Sequence, residues 1–201
     1  MSKFGGPPYM TADELASEPR AAPGRLARVQ SFINTVELTQ GDDAIATVEG
    51  LHAWLADHGL PVPRGQLAAP SVAAAGNLRE ALRDLIDRRG EPSGPALDRA
   101  ARALDALAVR HPVVVRFAAG GEPRLAAPSA DLTGALATIL ADAASAVGDG
   151  SWARFRTCRN DGCRWAFYDG SKNRSGAWCS MAACGNRMKA RAFRERHRAG
   201  G

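Results

Sequence analysis

Residues 158–187 read CRNDGCRWAFYDGSKNRSGAWCSMAACGNR. All of the chain's cysteines fall in this stretch, at Cys158, Cys163, Cys179 and Cys184, in the spacing C-x4-C-x15-C-x4-C. Two close pairs separated by a medium spacer suit a tetrahedral ion: each pair offers two thiolates from one turn, and the spacer lets the chain loop back. Soft sulfur donors with no His or carboxylate in the frame select zinc over calcium or magnesium. Two disulfides would need an oxidising compartment, which nothing in the sequence suggests. An iron–sulfur cluster and unligated thiols are the other competitors, and one structural zinc is favoured. Four protein ligands leave no open position for a catalytic water. The x4 gap is too wide for both sulfurs of a pair to share a helix face. Cys158 and Cys163 are therefore expected in a loop knuckle, with Cys179 preceding a helix that Cys184 enters.

Around this frame the charge changes sign. The 201-residue chain has a net charge of +5, yet residues 1–150 carry 14 Lys/Arg against 18 Asp/Glu, and residues 151–201 carry 12 against 3. Four thiolates and one zinc contribute −2, leaving the last quarter at about +7. Downstream of Cys184, Arg187, Arg191, Arg194 and Arg198 form one stripe on a helix, with Met188, Ala192 and Phe193 as an opposed apolar edge. Like charges at i,i+4 repel, and a polyanion relieves that repulsion. Lys189 joins this set, and Lys172 and Arg174 sit in a Gly/Ser-rich loop open to phosphate contact or to solvent alone. Trp165, Phe167 and Trp178 suit a mini-core over the metal.

The upstream part reads as helical. Leu26, Val29, Phe32, Ile33 and Val36 form one helix face. Thr47 caps a helix through Val48, Leu51 and Leu55, with Trp54 on the same side and Gly59-Leu-Pro61 ending it. Ser71 caps a third helix with Leu78, Leu82, Leu85 and Ile86 inward, Arg79 and Arg83 toward water, and Gly90 at its end. Ser93 opens a fourth, with Leu97, Leu104 and Leu107 on one face, closed by His111-Pro112. The β-branched run Val113–Phe117, followed by a Gly-rich turn and Arg124–Ala127, predicts a hairpin. Ser129 or Asp131 caps a fifth helix through Leu132, Leu136, Ile139, Leu140 and Val147, and Gly148-Asp149-Gly150 reads as a hinge.

The expected fold is thus mainly α with a small β-hairpin, followed by a treble-clef-like four-cysteine zinc module. The organisation is a mobile leader over 1–23, a helical domain over 24–150 and a zinc module over 151–199. Mean hydropathy is −0.23; no apolar run approaches a membrane span and no secretory signal is visible, so a cytoplasmic location is expected. No phosphate-cradling glycine loop, Ser/His/Asp set or carboxylate pair stands out, and the chain is not expected to be an enzyme. Asn34 and Thr35 interrupt an apolar face, either bonding helix ends together or lining a small-molecule pocket.

The stretch Arg174–Arg191, with its tetrad Cys184-Gly185-Asn186-Arg187, resembles the CGNR zinc finger, and the upstream cysteine pair and the Trp-x-Phe-x-Asp element fit as well. Ala22-Pro-Gly24, Phe32-Ile-Asn-Thr35 and Gly50-Leu-His-Ala-Trp-Leu55 resemble the opening of the ABATE domain that precedes such fingers. The resemblance implies a bacterial transcription regulator with zinc on the four cysteines and binding to double-stranded DNA. The N-terminal domain would sense a small-molecule effector or form a homodimer. An adaptor docking an acidic partner or RNA is the alternative. Within the tetrad, Gly185 is expected to take a backbone angle closed to other residues. Asn186 is expected to cap the helix or brace the knuckle, and Arg187 to pack on Trp178 or reach DNA.

Overall fold

The protein is described from a computed structural model over residues 20–87 and 94–199. The expected helix end at Gly90, the cap at Ser93 and residues 1–19 of the leader lie outside the described residues. In chain order the elements are α1 (Leu26–Ile33), β1 (Val36–Glu37), β2 (Asp42–Asp43), α2 (Val48–Asp57), α3 (Ala69–Asp87), α4 (Pro95–Arg110), β3 (Val114–Phe117), β4 (Pro123–Ala126), α5 (Leu132–Gly148), β5 (Phe155–Thr157), β6 (Ala166–Tyr168) and α6 (Asn186–Ala199). Among the described residues the strands form antiparallel pairs β1–β2, β3–β4 and β5–β6.

Local chemistry accounts for most boundaries. Thr47 caps α2 by accepting the Gly50 amide at 3.0 Å, and Asp131 caps α5 by accepting the Gly134 amide at 2.9 Å. The chain leaves α2 through Gly59 at φ +70°, a left-handed angle that glycine takes without strain. The expected hairpin forms, with Val114 opposite Ala126 and Phe117 opposite Pro123. Several expectations need correction. Helix α1 stops at Ile33, so Val36 lies in strand β1. Helix α3 begins at Ala69 rather than after Ser71, because Pro70 fits in a first turn where no amide is needed; the Ser71 hydroxyl accepts the Ala68 amide at 3.1 Å. Val147 is 60% exposed.

Arg79 and Arg83 do not face water; they are 7% and 1% exposed. Arg79 forks onto both oxygens of Asp43 at 2.8 Å and donates to the Thr35 hydroxyl at 3.0 Å. Arg83 bonds Glu80 and the carbonyl of Ile33. Burial works against the charge on Arg79, but Asp43 and Glu80 together outweigh it and hold the guanidinium above its ordinary value. Burial likewise disfavours charge on Glu80, yet Arg83 and Arg79 keep its carboxyl below the usual range.

Among the described residues the main core runs from the helical part into the cysteine-bearing part. It joins Val29, Phe32 and Ile33 of α1, Leu51, Trp54 and Leu55 of α2, Leu78 and Leu82 of α3 and Leu136 and Ile139 of α5 to Trp152, Phe155 and Ala166 of the cysteine-bearing part. Strand β5 packs on α3 and strand β6 on α1. The break at Gly148–Gly150 is therefore a bend and not a hinge: Gly150 has φ +78° and the following turn packs back on α5. The end of the leader is also tied down, with Ala22 buried and its amide donated to Gln30 at 2.6 Å.

Candidate metal centre and nucleic-acid interface

The β5–β6 hairpin aims its turn at the metal. Its register pairs Phe155 with Tyr168 and Thr157 with Ala166, and the Cys158 amide extends the ladder to the Trp165 carbonyl at 2.9 Å. Asn160 then shapes the knuckle. Its carbonyl accepts the amides of Cys163 and Arg164 at 2.7 and 3.0 Å. Its side-chain oxygen accepts the Gly162 amide at 3.3 Å, and its side-chain nitrogen lies 3.5 Å from the Cys184 sulfur. The second pair comes from the other end. Ser180 caps the wide turn Met181–Gly185 by accepting the Ala183 amide at 3.2 Å, and that turn carries Cys184 into α6.

All four sulfurs are buried and lie within 4.8 Å of one another, with Cys163 and Cys179 3.7 Å apart. A tetrahedral zinc with bonds of about 2.3 Å to sulfur spaces its ligands roughly 3.8 Å apart. None of the cysteines is in a disulfide. Contact with Cys158 pushes the thiols of Cys163 and Cys179 far above the ordinary value, while the same contacts, from Cys163 first, hold Cys158 below it. Four thiolates cannot share this space without a positive charge at its centre, which is the chemistry a zinc ion supplies. Cys158, Cys163, Cys179 and Cys184 hold that one structural zinc. Phe167 is buried against the sulfurs, with Trp165 and Trp178 partly buried around them.

Asp169 organises the loop that follows. It is fully buried and accepts the amides of Ser171 and Gly176 at 3.1 and 2.8 Å, with Arg156 3.4 Å away. Burial opposes its ionisation, but these donors and Arg156 hold the carboxyl below its ordinary value. Lys172 and Arg174 stand exposed on this loop. Sequence reasoning gave no role to Asn160 or to the Asp169 carboxylate; the Asn-Asp-Gly run inside the first cysteine gap is a turn signature that marks the former.

Within the tetrad, Gly185 departs from expectation, while Asn186 braces the knuckle as expected. Gly185 has no left-handed angle; instead a Cβ there would lie 2.9 Å from the Met181 side chain and 3.3 Å from Trp178. The Asn186 side-chain nitrogen donates to the Ala182 carbonyl at 3.2 Å, tying the wide turn to the helix. On α6, Arg187, Lys189, Arg191, Arg194 and Arg198 are all exposed, and Met188 and Ala192 form the half-buried seam. Phe193 is not part of that seam, being 56% exposed. Arg191 is partly neutralised by Glu195 at 2.8 Å.

Asn34 and Thr35 are engaged elsewhere. The Asn34 side chain accepts the Ala166 amide at 2.7 Å and donates to the Ala166 carbonyl at 2.9 Å. Thr35 donates to the Phe32 carbonyl at 2.8 Å. A shallow depression of about 190 Å³, lined by residues including Leu60, Pro61, Asp131 and Thr138, lies apart from both. No helix among the described residues is long and apolar enough to cross a membrane.

Comparison with protein-family models matches residues 154–197 to the CGNR zinc finger. Residues 26–150 match ABATE, described as "Putative stress-induced transcription regulator". A search of the curated proteins finds no match. The ABATE match covers more than half of the chain and precedes a finger whose four sulfurs already converge on one point. The chain belongs to the ABATE family and carries a C-terminal CGNR zinc finger.

Proposed function

We propose that this protein is a transcription regulator that binds double-stranded DNA through α6 and the loop bearing Lys172 and Arg174. The observation that carries this reading is a helix whose cations are solvent-exposed while its base is held by a four-sulfur site. Zinc fixes the direction of the helix, so its charges form a fixed array. Arginine forks onto phosphate oxygens or onto the O6/N7 edge of guanine. The role is binding, not catalysis, and reduced thiols suit the cytoplasm. The helical part then supplies effector sensing or self-association, its mildly acidic charge keeping it clear of the same polyanion.

The test is fluorescence titration of zinc-loaded protein with duplex DNA over a salt series. Engagement of about five phosphates gives a log–log slope near −4.5. Replacing Arg187, Arg194 and Arg198 by Ala flattens that slope by about 3. No binding at low salt removes this reading, and retention of an acidic protein partner after nuclease treatment favours the adaptor in its place.

A further inference from the structure

We infer that Phe193, buttressed by His197, is the base-reading tip of α6, making apolar contact with thymine methyl groups in the major groove; this rests on the DNA-binding reading above. From Phe193 to Arg198 every side chain of α6 is exposed, so among the described residues nothing covers this half of the helix. The whole helix is about 21 Å long and 10–12 Å across, and the major groove, about 12 Å wide, admits such a rod. On the side away from the Met188/Ala192 seam, Phe193 and His197 lie between two basic edges. Arg187, Arg194 and Arg198 form one edge, and Lys189 and Arg196 form the other.

A helix seated with this side inward lays both edges along the phosphate backbones and points the ring at the base edges. Single exposed apolar residues are common, but this one stands between two basic edges and is 56% exposed among the described residues. The ring is also held in position: its centroid is 4.2 Å from that of His197, with the planes tilted by 57°. Neither ring contributes to the cluster around the sulfurs, so the pair is not needed to hold the finger together. Duplex is favoured over single strands because base stacking needs a platform, and here the ring stands on a narrow helix between two cation edges.

The test uses full-length zinc-loaded protein and paired A·T-rich duplex pools of random sequence, identical except that every thymine is replaced by uracil. The swap removes only the methyl group and leaves every phosphate in place. The wild type should bind the uracil pool more weakly, by about fourfold per contacted thymine, the worth of one buried methyl. Phe193→Ala should bind both pools alike with an unchanged salt slope, while its zinc content and melting temperature match the wild type. Equal wild-type affinity for the two pools, with duplex binding intact, overturns this inference alone. Failure of the wild type to bind any duplex at low salt overturns it together with the DNA-binding reading. A variant that loses single-stranded RNA more than duplex DNA replaces methyl reading by stacking.

Discussion

Replacing Asn34 by Ala should destabilise the zinc-loaded protein by about 2–4 kcal/mol. The Asn34 side chain acts as a short third strand against the outer edge of β6, satisfying both backbone groups of Ala166 at 2.7 and 2.9 Å. Ala166 is fully buried. Its carbonyl keeps the Gln30 side-chain nitrogen at 3.1 Å in the variant, so that side loses about 1 kcal/mol. Its amide loses its acceptor, and an orphaned buried donor costs about 1–3 kcal/mol. For a chain of this length the sum lowers the melting temperature by roughly 5–15 °C. Calorimetry in excess zinc is the assay, since metal binding itself shifts the transition. Asn34→Asp should not rescue, because its second oxygen would oppose the Ala166 carbonyl. A zinc-loaded Asn34→Ala protein melting within about 2 °C of the wild type would refute the clamp.

Chelation of zinc, or Cys184→Ser, should disorder more than the finger, because Trp152, Phe155 and Ala166 belong to the main core; of order 10 kcal/mol of folding free energy leaves with the metal, and near-UV circular dichroism should report loss of fixed packing throughout. Elemental analysis should find one zinc per chain. Gly176→Ala should cost about 2–3 kcal/mol, since the new methyl lies 2.8 Å from the buried Asp169 carboxylate; Gly185→Ala should cost about 1 kcal/mol, since the exposed Met181 can swing aside. Denaturant melts rank the two. Burial holds the Asp142 carboxyl above its ordinary value against the opposing charge of Arg28, so its contribution to stability is present at low pH and is lost as pH rises through the folded value. Asp142→Asn should therefore outlast the wild type in urea at pH 7, with the difference narrowing toward about pH 4–5; a difference that widens on acidification would count against this.

The elements that could be read in the sequence are those whose causes are local. Thr47 and Asp131 cap the residues three positions on, the cysteine spacing depends only on short turns, and the Leu26, Val29, Phe32, Ile33 stripe is a matter of period. What could not be read depends on distant partners. A charge pattern assigns Arg79 and Arg83 to solvent; they are inside because Asp43, 36 residues upstream of Arg79, and the Ile33 carbonyl meet them there. Helix α1 ends before Val36 although the apolar period continues, with the Asn34 side chain turned to a strand 132 residues away. Joining Phe193 to the Met188/Ala192 edge overlooks that consecutive residues of a helix point about 100° apart, which takes the ring off that edge and into the open. Gly185 is favoured by the limited space beside Met181 and not by its backbone angle, a distinction that needs the position of Met181.

The shared core also governs what can be cut. Severing the chain near Gly150 would strip Trp152, Phe155 and Ala166 from the faces of α1 and α3 that cover them, leaving each fragment with a raw greasy wound. The finger is thus not a cassette to be grafted onto another scaffold, as a bead on a string would be. Any transplant has to carry α1 and α3 along with the four sulfurs.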